Sequence, residues 1–306
     1  HTDFERSYED AKVEQLIQAI FTTPVKRGGS YELSAFQSVV TDEQYTQLVQ
    51  QAQAYILEGK VEQIVLSKRL VAQMSGDAFS LYRKLRKLTP APYMYYAQFS
   101  DHVMIGVSPE SVVKIKGSHV TITPVTGARP RGLTPREDLS VELSLLQNAK
   151  EVHVHKLLVD QTIQDLEMIC IENSIQIVEY MKPVQFKHSI RLTTEFEAML
   201  YPFLHPIDAL KLLFPPASSS GVPKREASEI INRLEPIARS FYGGALGYFS
   251  LNGNVNFTLL QQTMLIKNNR AYIQAGANIL SDTQEADAIL ETRKKIKAFT
   301  MMEETI

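Results

Sequence analysis

Apolar residues in the N-terminal part of the chain recur with the spacing of helices. Between residues 8 and 20 they fall every three to four positions, which predicts an amphipathic helix. Residues 24–35 are rich in Gly and Ser and predict a loop that marks a boundary. Thr41, followed three residues later by Gln44, forms a capping-box pattern, and Gly59 suits the end of a helix. We therefore expect a second helix between Thr41 and Gly59.

Short segments rich in β-branched residues predict strands further along the chain. Residues 63–73 form one such segment. Four more, at residues 93–99, 102–108, 111–117 and 119–125, are separated by short polar turns. Consecutive strands joined by short turns usually pair with their neighbours, so these four segments predict an antiparallel meander.

The rest of the chain mixes helical segments with further strands. Residues 145–169 lack Gly and Pro and predict one long helix within a larger helical region. Residues 241–280 alternate strand-like runs with Gly and Asn turns. In all, helices are predicted in this part at residues 78–88, 135–181, 206–213, 224–234 and 284–299. Strands and helices in mixed blocks favour an α+β fold over a doubly wound parallel sheet.

Composition restricts the partners and the compartment. The chain has 306 residues, with 32 Lys and Arg against 34 Asp and Glu, so its net charge is −2. Because no basic stripe accompanies this balance, we expect neither a nucleic acid nor a membrane as partner. Cys170 is the single cysteine, so no disulfide can form within the chain. A lone cysteine predicts a buried core residue and a reducing, cytoplasmic location.

The informative motifs are seven blocks, since the sequence has no phosphate-binding loop and no nucleophile elbow. In chain order the blocks are YILEGKVEQIVLSKRL (55–70), TPAPYMYYAQF (89–99), IGVSPESVVKI (105–115), TPVTGARPRG (123–132), DALKLLFPPASSSGVPKREASEIINRLEP (208–236), FYGGALGYFSLNGN (241–254) and AYIQAGANI (271–279). In this order they resemble the chorismate-utilising enzymes, which include anthranilate, aminodeoxychorismate, isochorismate and salicylate synthases.

The resemblance covers residues 36–299 and implies a fold. That fold is α+β, with a large domain of two packed, mainly antiparallel sheets flanked by helices and a site between the sheets. Residues 1–30 are expected to be a lead-in helix or the remnant of an N-terminal subdomain. Residues 31–306 are expected to form the chorismate-binding domain of catalytic type.

Three features make the chain most similar to anthranilate synthase large subunits. Gln63 precedes the IVLS segment, where relatives that add water to chorismate have a Lys as base. Thr126 stands where aminodeoxychorismate synthases have a Lys nucleophile. Residues 89–96, TPAPYMYY, are similar to a block that helps to bind feedback tryptophan. The resemblance thus implies a lyase that converts chorismate and ammonia to anthranilate and pyruvate, with a glutamine amidotransferase subunit as the source of ammonia.

The resemblance also assigns catalytic roles. Displacement of the chorismate 4-hydroxyl requires a general acid for the leaving oxygen, and Glu110 in the IGVSPE segment matches the acid of the family. His188 resembles a family His near the reacting centre, although the residues that follow depart from the pattern. A surface glutamate and an ordinary loop histidine are the alternative interpretations.

Five residues are expected to contact the substrate. They are Gln63, Thr126, Gly127, Gly276 and Lys295. The backbone around the two glycines would approach the substrate closely, with plain turns as the alternative. The lysine matches one that binds a carboxylate in the family, and a surface pair with the residue four positions earlier is its alternative.

Mg²⁺ is the cofactor that the resemblance implies, and here the chain departs from the family. The family holds this ion with carboxylates from two helices, of which Glu151 and Glu291 remain. Each helix lacks its other glutamate, because Val154 and Ala288 stand in those positions. The loss of these carboxylates is expected to weaken Mg²⁺ binding.

Two further residues depart from the family at the same expected site. Gln262 replaces an arginine that would bind a substrate carboxylate through two hydrogen bonds, and Asn278 replaces a glycine. The chain is therefore either an impaired enzyme of the anthranilate synthase type or a catalytically inactive relative that keeps the fold to bind a ligand or partner. An isochorismate, salicylate or aminodeoxychorismate synthase-type activity is the third hypothesis.

Overall fold

A computed structural model describes residues 3–24 and 28–302. The helices are α1 (Asp3–Thr22), α2 (Asp42–Leu57), α3 (Ala78–Leu88), α4 (Pro135–Gln147), α5 (Ala149–Glu167), α6 (Pro206–Leu213), α7 (Lys224–Leu234) and α8 (Glu285–Thr300). The strands are β1 (Tyr31–Leu33), β2 (Gln37–Ser38), β3 (Gln63–Gly76), β4 (Tyr93–Gln98), β5 (Val103–Ser108), β6 (Ser111–Lys116), β7 (His119–Thr123), β8 (Val125–Pro130), β9 (Gln176–Gln185), β10 (Ser189–Met199), β11 (Gly221–Val222), β12 (Ala245–Phe249), β13 (Val255–Leu259), β14 (Gln262–Lys267) and β15 (Arg270–Ile279).

The named strands form two sheets, and all of their pairings are antiparallel. The first sheet has the order β1-β3-β15-β14-β5-β4, with β2 and β11 also paired to β3. The second has the order β12-β13-β6-β7-β10-β8, with β9 paired to β10. The predicted α+β fold, with two mainly antiparallel sheets flanked by helices, is confirmed.

Separate apolar cores join the helices to the sheets. On the first sheet, α3 and α8 bury Leu85 and Phe299 against the strands. On the second sheet, Leu166 of α5 packs in one cluster with Phe196 of β10 and with Cys170. Cys170 is a core residue as predicted, and burial raises the pKa of its thiol to about 12. The lone cysteine therefore has no nucleophilic thiolate at neutral pH.

The four strands predicted as one meander are divided between the two sheets, so the prediction is correct for two of its three pairings and wrong for the pairing of β5 with β6. β4 pairs with β5 in the first sheet, and β6 pairs with β7 in the second. The chain changes sheets between Ser108 and Ser111, through Pro109 and Glu110. Proline cannot donate a hydrogen bond to a neighbouring strand, so the ladder of β5 ends there. This corner brings a candidate catalytic residue to the junction of the sheets.

Three local predictions are corrected by the structure. The long helix predicted at residues 145–169 is divided at Asn148, whose side chain accepts a hydrogen bond from the Glu151 amide at 3.0 Å and so begins α5. The helical region predicted to extend to residue 181 ends earlier, because β9 begins at Gln176. The loop predicted at residues 24–35 contains β1, which pairs with the far end of β3.

The predictions for the first two helices are confirmed. The Thr41 hydroxyl accepts a hydrogen bond from the Gln44 amide, and the Gln44 side chain accepts one from the Thr41 amide, as a capping box requires. α1 forms over residues 8–20, with Leu16 and Ile20 exposed by 62% and 75%. The division of the chain near residue 30 stays a prediction. Among the described helices, none is both long and apolar enough to cross a membrane.

Candidate active site

The candidate site begins at the corner where the chain passes from the first sheet to the second. Glu110 lies in this corner, between the end of β5 and the start of β6. Its carbonyl accepts hydrogen bonds from the Thr258 hydroxyl at 2.8 Å and from the Leu259 amide at 3.2 Å. Both donors belong to β13, so the backbone of the predicted general acid is held against the second sheet.

The Glu110 side chain is buried, with 5% of the residue exposed. The Ser218 hydroxyl donates a hydrogen bond to its Oε1. Burial raises the pKa of Glu110 to about 7, although the Ser218 hydrogen bond and the charges of Arg191 and Lys295 act in the opposite direction. A carboxyl that stays largely protonated up to neutral pH can deliver a proton, as the predicted general acid must.

Lys295 extends from α8 to the backbone of β15. Its ammonium donates to the Gly276 carbonyl at 2.7 Å and pairs with Glu291 at 2.8 Å. Burial lowers the pKa of Lys295, but the Glu291 carboxylate and the Tyr242 phenol together outweigh burial, so the net pKa is raised. Lys295 therefore forms the ion pair within α8 and also reaches the candidate site. The ion pair with Glu291 keeps its ammonium charged and in contact with Gly276.

A buried chain of two hydroxyls and an imidazole supports the TGARP segment. Thr126 Oγ1 lies 2.6 Å from His155 Nδ1, and His155 Nε2 lies 2.7 Å from Thr194 Oγ1. Burial lowers the pKa of His155 to about 4, so the ring is neutral and can accept one hydrogen bond while it donates another. At Gly127, where φ is 61°, a Cβ would lie 3.2 Å from a carboxylate oxygen of Glu151. The segment with Thr126 and Gly127, which is predicted to contact the substrate, is therefore held in place by side chains of α5.

Gln63 lies on β3 and faces Asn278 of the neighbouring strand β15. Its Nε2 donates to Asn278 Oδ1 at 2.6 Å, and Asn278 Nδ2 donates to Glu291 at 3.4 Å. Gln63 is fully buried, and its Oε1 is the one buried side-chain N or O atom of the described residues that has no hydrogen-bond partner. An unsatisfied buried acceptor costs about 1–3 kcal/mol, which a donor from a ligand would remove.

The residues around Glu151 and Glu291 do not fit the Mg²⁺ site that the resemblance implies. Arg129 lies 3.5 Å from Glu151, and Glu291 is paired with the lysine one turn later on α8. Val154 and Ala288, where further carboxylates were expected, are buried in apolar clusters. Within residues 3–24 and 28–302, no group of three or more His, Cys, Asp or Glu side chains could hold a metal ion. Each remaining carboxylate has a cationic neighbour, but burial and the charge of Glu291 still raise the pKa of Glu151, so Arg129 compensates its charge only in part.

His188 lies in the turn between β9 and β10, with its ring exposed. Its Nε2 donates to the Leu88 carbonyl at 2.6 Å, and the neighbouring Lys187 donates to the Lys87 carbonyl at 2.9 Å. Both contacts join the hairpin to the end of α3. His188 is not part of the walls of the two cavities described below, so its catalytic role stays a prediction.

Arg191, three residues later on β10, contributes to the site, although it is not among the residues predicted from the sequence. It lines a small cavity together with Tyr242, Gln262, Gln274 and Lys295. Among the described residues that line it, two are cations and none is a carboxylate. The sequence carried one signal, a charged residue between two apolar neighbours in a strand-like segment.

A second small cavity has the predicted acid in its wall. Glu110 and Ser218 line it together with Thr162 and Asp165 of α5. Ser218 belongs to the PPASSSG segment, which the resemblance includes, but the sequence did not indicate which serine would contact the acid. The structure therefore adds Ser218 and Arg191 to the candidate site.

Gly276→Ala tests how closely the site is packed. A Cβ at this position would lie 2.7 Å from the Tyr242 hydroxyl and 2.7 Å from a methyl carbon of Val65. We expect the substitution to lower the free energy of unfolding by about 1–3 kcal/mol, measured by urea titration. Adding Val65→Ala should recover part of the loss, because it removes one of the two close contacts. A loss below about 0.5 kcal/mol, the usual effect of a surface substitution, would contradict the packing described here.

Comparison with known sequences places this geometry in a family. The family model described as chorismate binding enzyme matches residues 2–301. Anthranilate synthase component 1 of Pseudomonas aeruginosa is 33% identical over 315 residues, which cover 99% of this chain and 64% of that protein. Anthranilate synthase component 1 of Methanothermobacter thermautotrophicus is 37% identical, over 83% of this chain and 55% of that protein. The chain therefore spans less than two thirds of the length of these relatives.

Solved structures agree with the sequence matches. Anthranilate synthase component I from Streptococcus pneumoniae TIGR4 superposes with a TM-score of 0.84 at 32% identity, covering 98% of this chain and 67% of that chain. The menaquinone-specific isochorismate synthase of Escherichia coli has a TM-score of 0.82 at 19% identity, over 97% of this chain and 69% of its own, and shares the fold. Because the family model covers nearly the whole chain and relatives above 30% identity match along it, the chain belongs to the chorismate-binding enzyme family.

Proposed function

We propose that the chain is a lyase of the anthranilate synthase type, which converts chorismate and ammonia to anthranilate and pyruvate. The observation that carries the proposal is Glu110, a buried acid with a pKa of about 7, close to the charges of Arg191 and Lys295. A dicarboxylate such as chorismate suits a site with two cations. The relatives of 33% and 34% identity that are named anthranilate synthase component 1 support this branch of the family.

The proposed chemistry assigns Glu110 the proton for the leaving group. Ammonia adds to the ring carbon beside the one that bears the carboxylate, and Glu110 protonates the 4-hydroxyl, which leaves as water. The ring then loses a proton and the enolpyruvyl side chain, which takes up a proton and leaves as pyruvate. One chorismate and one ammonia thus give one anthranilate, one pyruvate and one water.

Gln63 supports ammonia as the nucleophile. Its Oε1 has no hydrogen-bond partner and can accept a hydrogen bond from an N–H of ammonia. A carboxamide is too weak a base to deprotonate water, which an isochorismate synthase-type reaction would require. We therefore place Gln63 as the residue that orients ammonia, and a glutamine amidotransferase subunit as the partner that supplies it.

Turnover with free ammonium tests the proposal. Purified chain is mixed with chorismate and ammonium, in parallel with Mg²⁺ and with EDTA, and anthranilate is followed by its fluorescence. We expect anthranilate to form and the rate to be zero without ammonium. Chromatography of the products separates anthranilate from isochorismate and aminodeoxychorismate. Either of these as the main product would contradict the anthranilate assignment, and no product with any nucleophile would contradict the lyase.

The cation-paired carboxylates support a second candidate, a family member that binds its ligand without turnover. Glu151 and Glu291 each have a cationic partner, and Val154 and Ala288 add no oxygen ligand. A reaction that depends on Mg²⁺ would therefore be slow in this chain. Calorimetry combined with the product assay distinguishes the two candidates. The second predicts that chorismate binds but that no anthranilate forms, whichever metal ion is added.

A further inference from the structure

The guanidinium of Arg191 is held in place by neighbours that carry no charge. Its Nε donates to the Ser189 hydroxyl at 3.3 Å, and its Cζ lies 5.9 Å from the centre of the Phe186 ring. Within the part of the chain that the structure describes, no hydrogen bond from Nη1 or Nη2 and no ion pair with a carboxylate is formed. The two Nη nitrogens are therefore free to act as a fork of donors.

The charge of Arg191 is not neutralised by its own cavity. The described wall has no carboxylate, and the charge of Lys295 is already paired with Glu291 at 2.8 Å. Glu110 is the acid whose charge acts on Arg191, and its own burial keeps it largely protonated below neutral pH. A partly buried cation without a counter-charge is costly, so the cavity is suited to a small anion.

The residues that line the cavity come from both sheets, so one ligand could contact both sheets at once. Arg191 belongs to β10 of the second sheet, whereas Gln262 and Gln274 belong to β14 and β15 of the first. Tyr242 lies in the segment before β12 and adds a phenol to the same wall. An anion between these side chains would meet a guanidinium on one side and neutral donors on the other.

We propose that Arg191 is a substrate-binding residue, which holds one carboxylate of the ligand through its two Nη nitrogens at the wall shared with Gln262. Planar carboxylates match the guanidinium fork, and such paired contacts are stronger than neutral hydrogen bonds. The identity of the ligand rests on the proposed function, but the chemistry of the contact rests on the charges of this cavity.

Binding without turnover tests the role of Arg191. Chorismate is titrated into the chain by calorimetry without ammonium, in EDTA, so that no metal ion can hold the carboxylate. We expect Arg191→Gln to weaken binding by about 10- to 100-fold, the usual range for a charged hydrogen-bonded contact. Arg191→Lys keeps the charge but loses the fork, so we expect an intermediate loss. Arg225→Gln, on the exposed surface of α7, is the control and should bind like the unchanged chain.

A pair of small probes separates charge recognition from a general packing defect. Ligand-observed NMR compares benzoate with benzamide, which has the same shape without the charge. The unchanged chain should prefer benzoate, and Arg191→Gln should lose that preference while thermal unfolding shows that it still folds. Equal binding of the two probes to the unchanged chain would overturn the proposal, as would unaltered chorismate affinity in Arg191→Gln.

The two proposals fail in different ways. If chorismate does not bind but the preference for benzoate depends on Arg191, the anion site stands and the proposed substrate is wrong. If chorismate binds and is converted to anthranilate equally well in Arg191→Gln, the proposed function stands and the role of Arg191 is wrong.

Discussion

Glu110→Gln is expected to lower kcat for anthranilate formation by about 10²–10⁴-fold, the usual contribution of a general acid. Glutamine has the size of glutamate and can still accept the hydrogen bond from Ser218, but it has no carboxyl proton to release. The Michaelis constant for chorismate should change little, because this side chain acts on the leaving hydroxyl. Initial rates from anthranilate fluorescence at saturating chorismate measure the effect.

A matched exposed variant and a stability measurement make the first prediction specific. Glu229→Gln removes an exposed carboxylate on α7 and should leave kcat unchanged.

Burial raises the pKa of Glu110 to about 7, so the folded state binds this proton more tightly than the unfolded state. Its contribution to stability therefore falls as the pH rises from the unfolded pKa towards 7. Glu110→Gln should not be less stable at neutral pH, and retention of most of kcat in a folded variant would reject the assignment.

The same pKa predicts the direction of the pH dependence. The acid form of Glu110, which the reaction requires, is present below pH 7 and is lost above it. We expect kcat/KM for chorismate, which follows the protonation of the free enzyme, to fall about tenfold per pH unit well above 7. A pH profile of kcat/KM at saturating ammonia measures this, and a kcat/KM that stays level to pH 9 would contradict the role of this carboxyl.

Arg239→Ala is expected to lower the free energy of unfolding by about 3–5 kcal/mol, the range for breaking a buried ion pair. The guanidinium pairs with Glu235 at 2.6 Å and donates to the carbonyls of Ser219 and Val65. Glu235 also accepts hydrogen bonds from the amide and hydroxyl of Ser67. The substitution would leave a carboxylate with 4% exposure of its side chain and two carbonyls without their donor.

The effect of Arg239→Ala is measured by urea unfolding against an exposed pair of the same spacing. Arg225 and Glu229 are also four residues apart, but their side chains are 86% and 54% exposed. Arg225→Ala should therefore cost less than about 0.5 kcal/mol. If the two variants lost equal stability, the network around Arg239 would have no structural importance. Because this network joins β3 to the loop that carries Ser219, its loss should also disturb the neighbouring Ser218 hydroxyl that binds Glu110.

Several elements were predictable because their causes are local. The capping box at Thr41 depends on two side chains three residues apart, and the helix it begins is observed. Many strand segments were also predicted, since a β-branched pattern is a property of consecutive residues, but β9 and β10 were not. The pairing of strands was not predictable in the same way. The segments before and after Glu110 have the same strand-like pattern of apolar residues, yet they belong to different sheets. Their pairing depends on partner strands far along the chain.

The site was predictable in part for the same reason. Glu110, Lys295 and Gln63 were selected from local matches to the family, and the structure gives each of them a buried polar contact, while their roles stay predictions. Arg191 and Ser218 were missed, because their importance comes from which cavity they line and which charge they approach. Those are properties of packing between β10, α8 and the loop before β11.

The sequence by itself indicated the family through its ordered motifs and the α+β class through its local periodicity, and the resemblance to the family implied the two sheets and the candidate acid. The tertiary structure decided the state of that acid and the charge around it. A carboxyl acquires a pKa of about 7 by losing water on all sides, and segments distant in sequence remove that water. Likewise, the pairing of Glu151 with Arg129 depends on a distance between α5 and β8 that no spacing in the sequence encodes, whereas the pairing of Glu291 with Lys295 follows from their spacing of four residues on one helix.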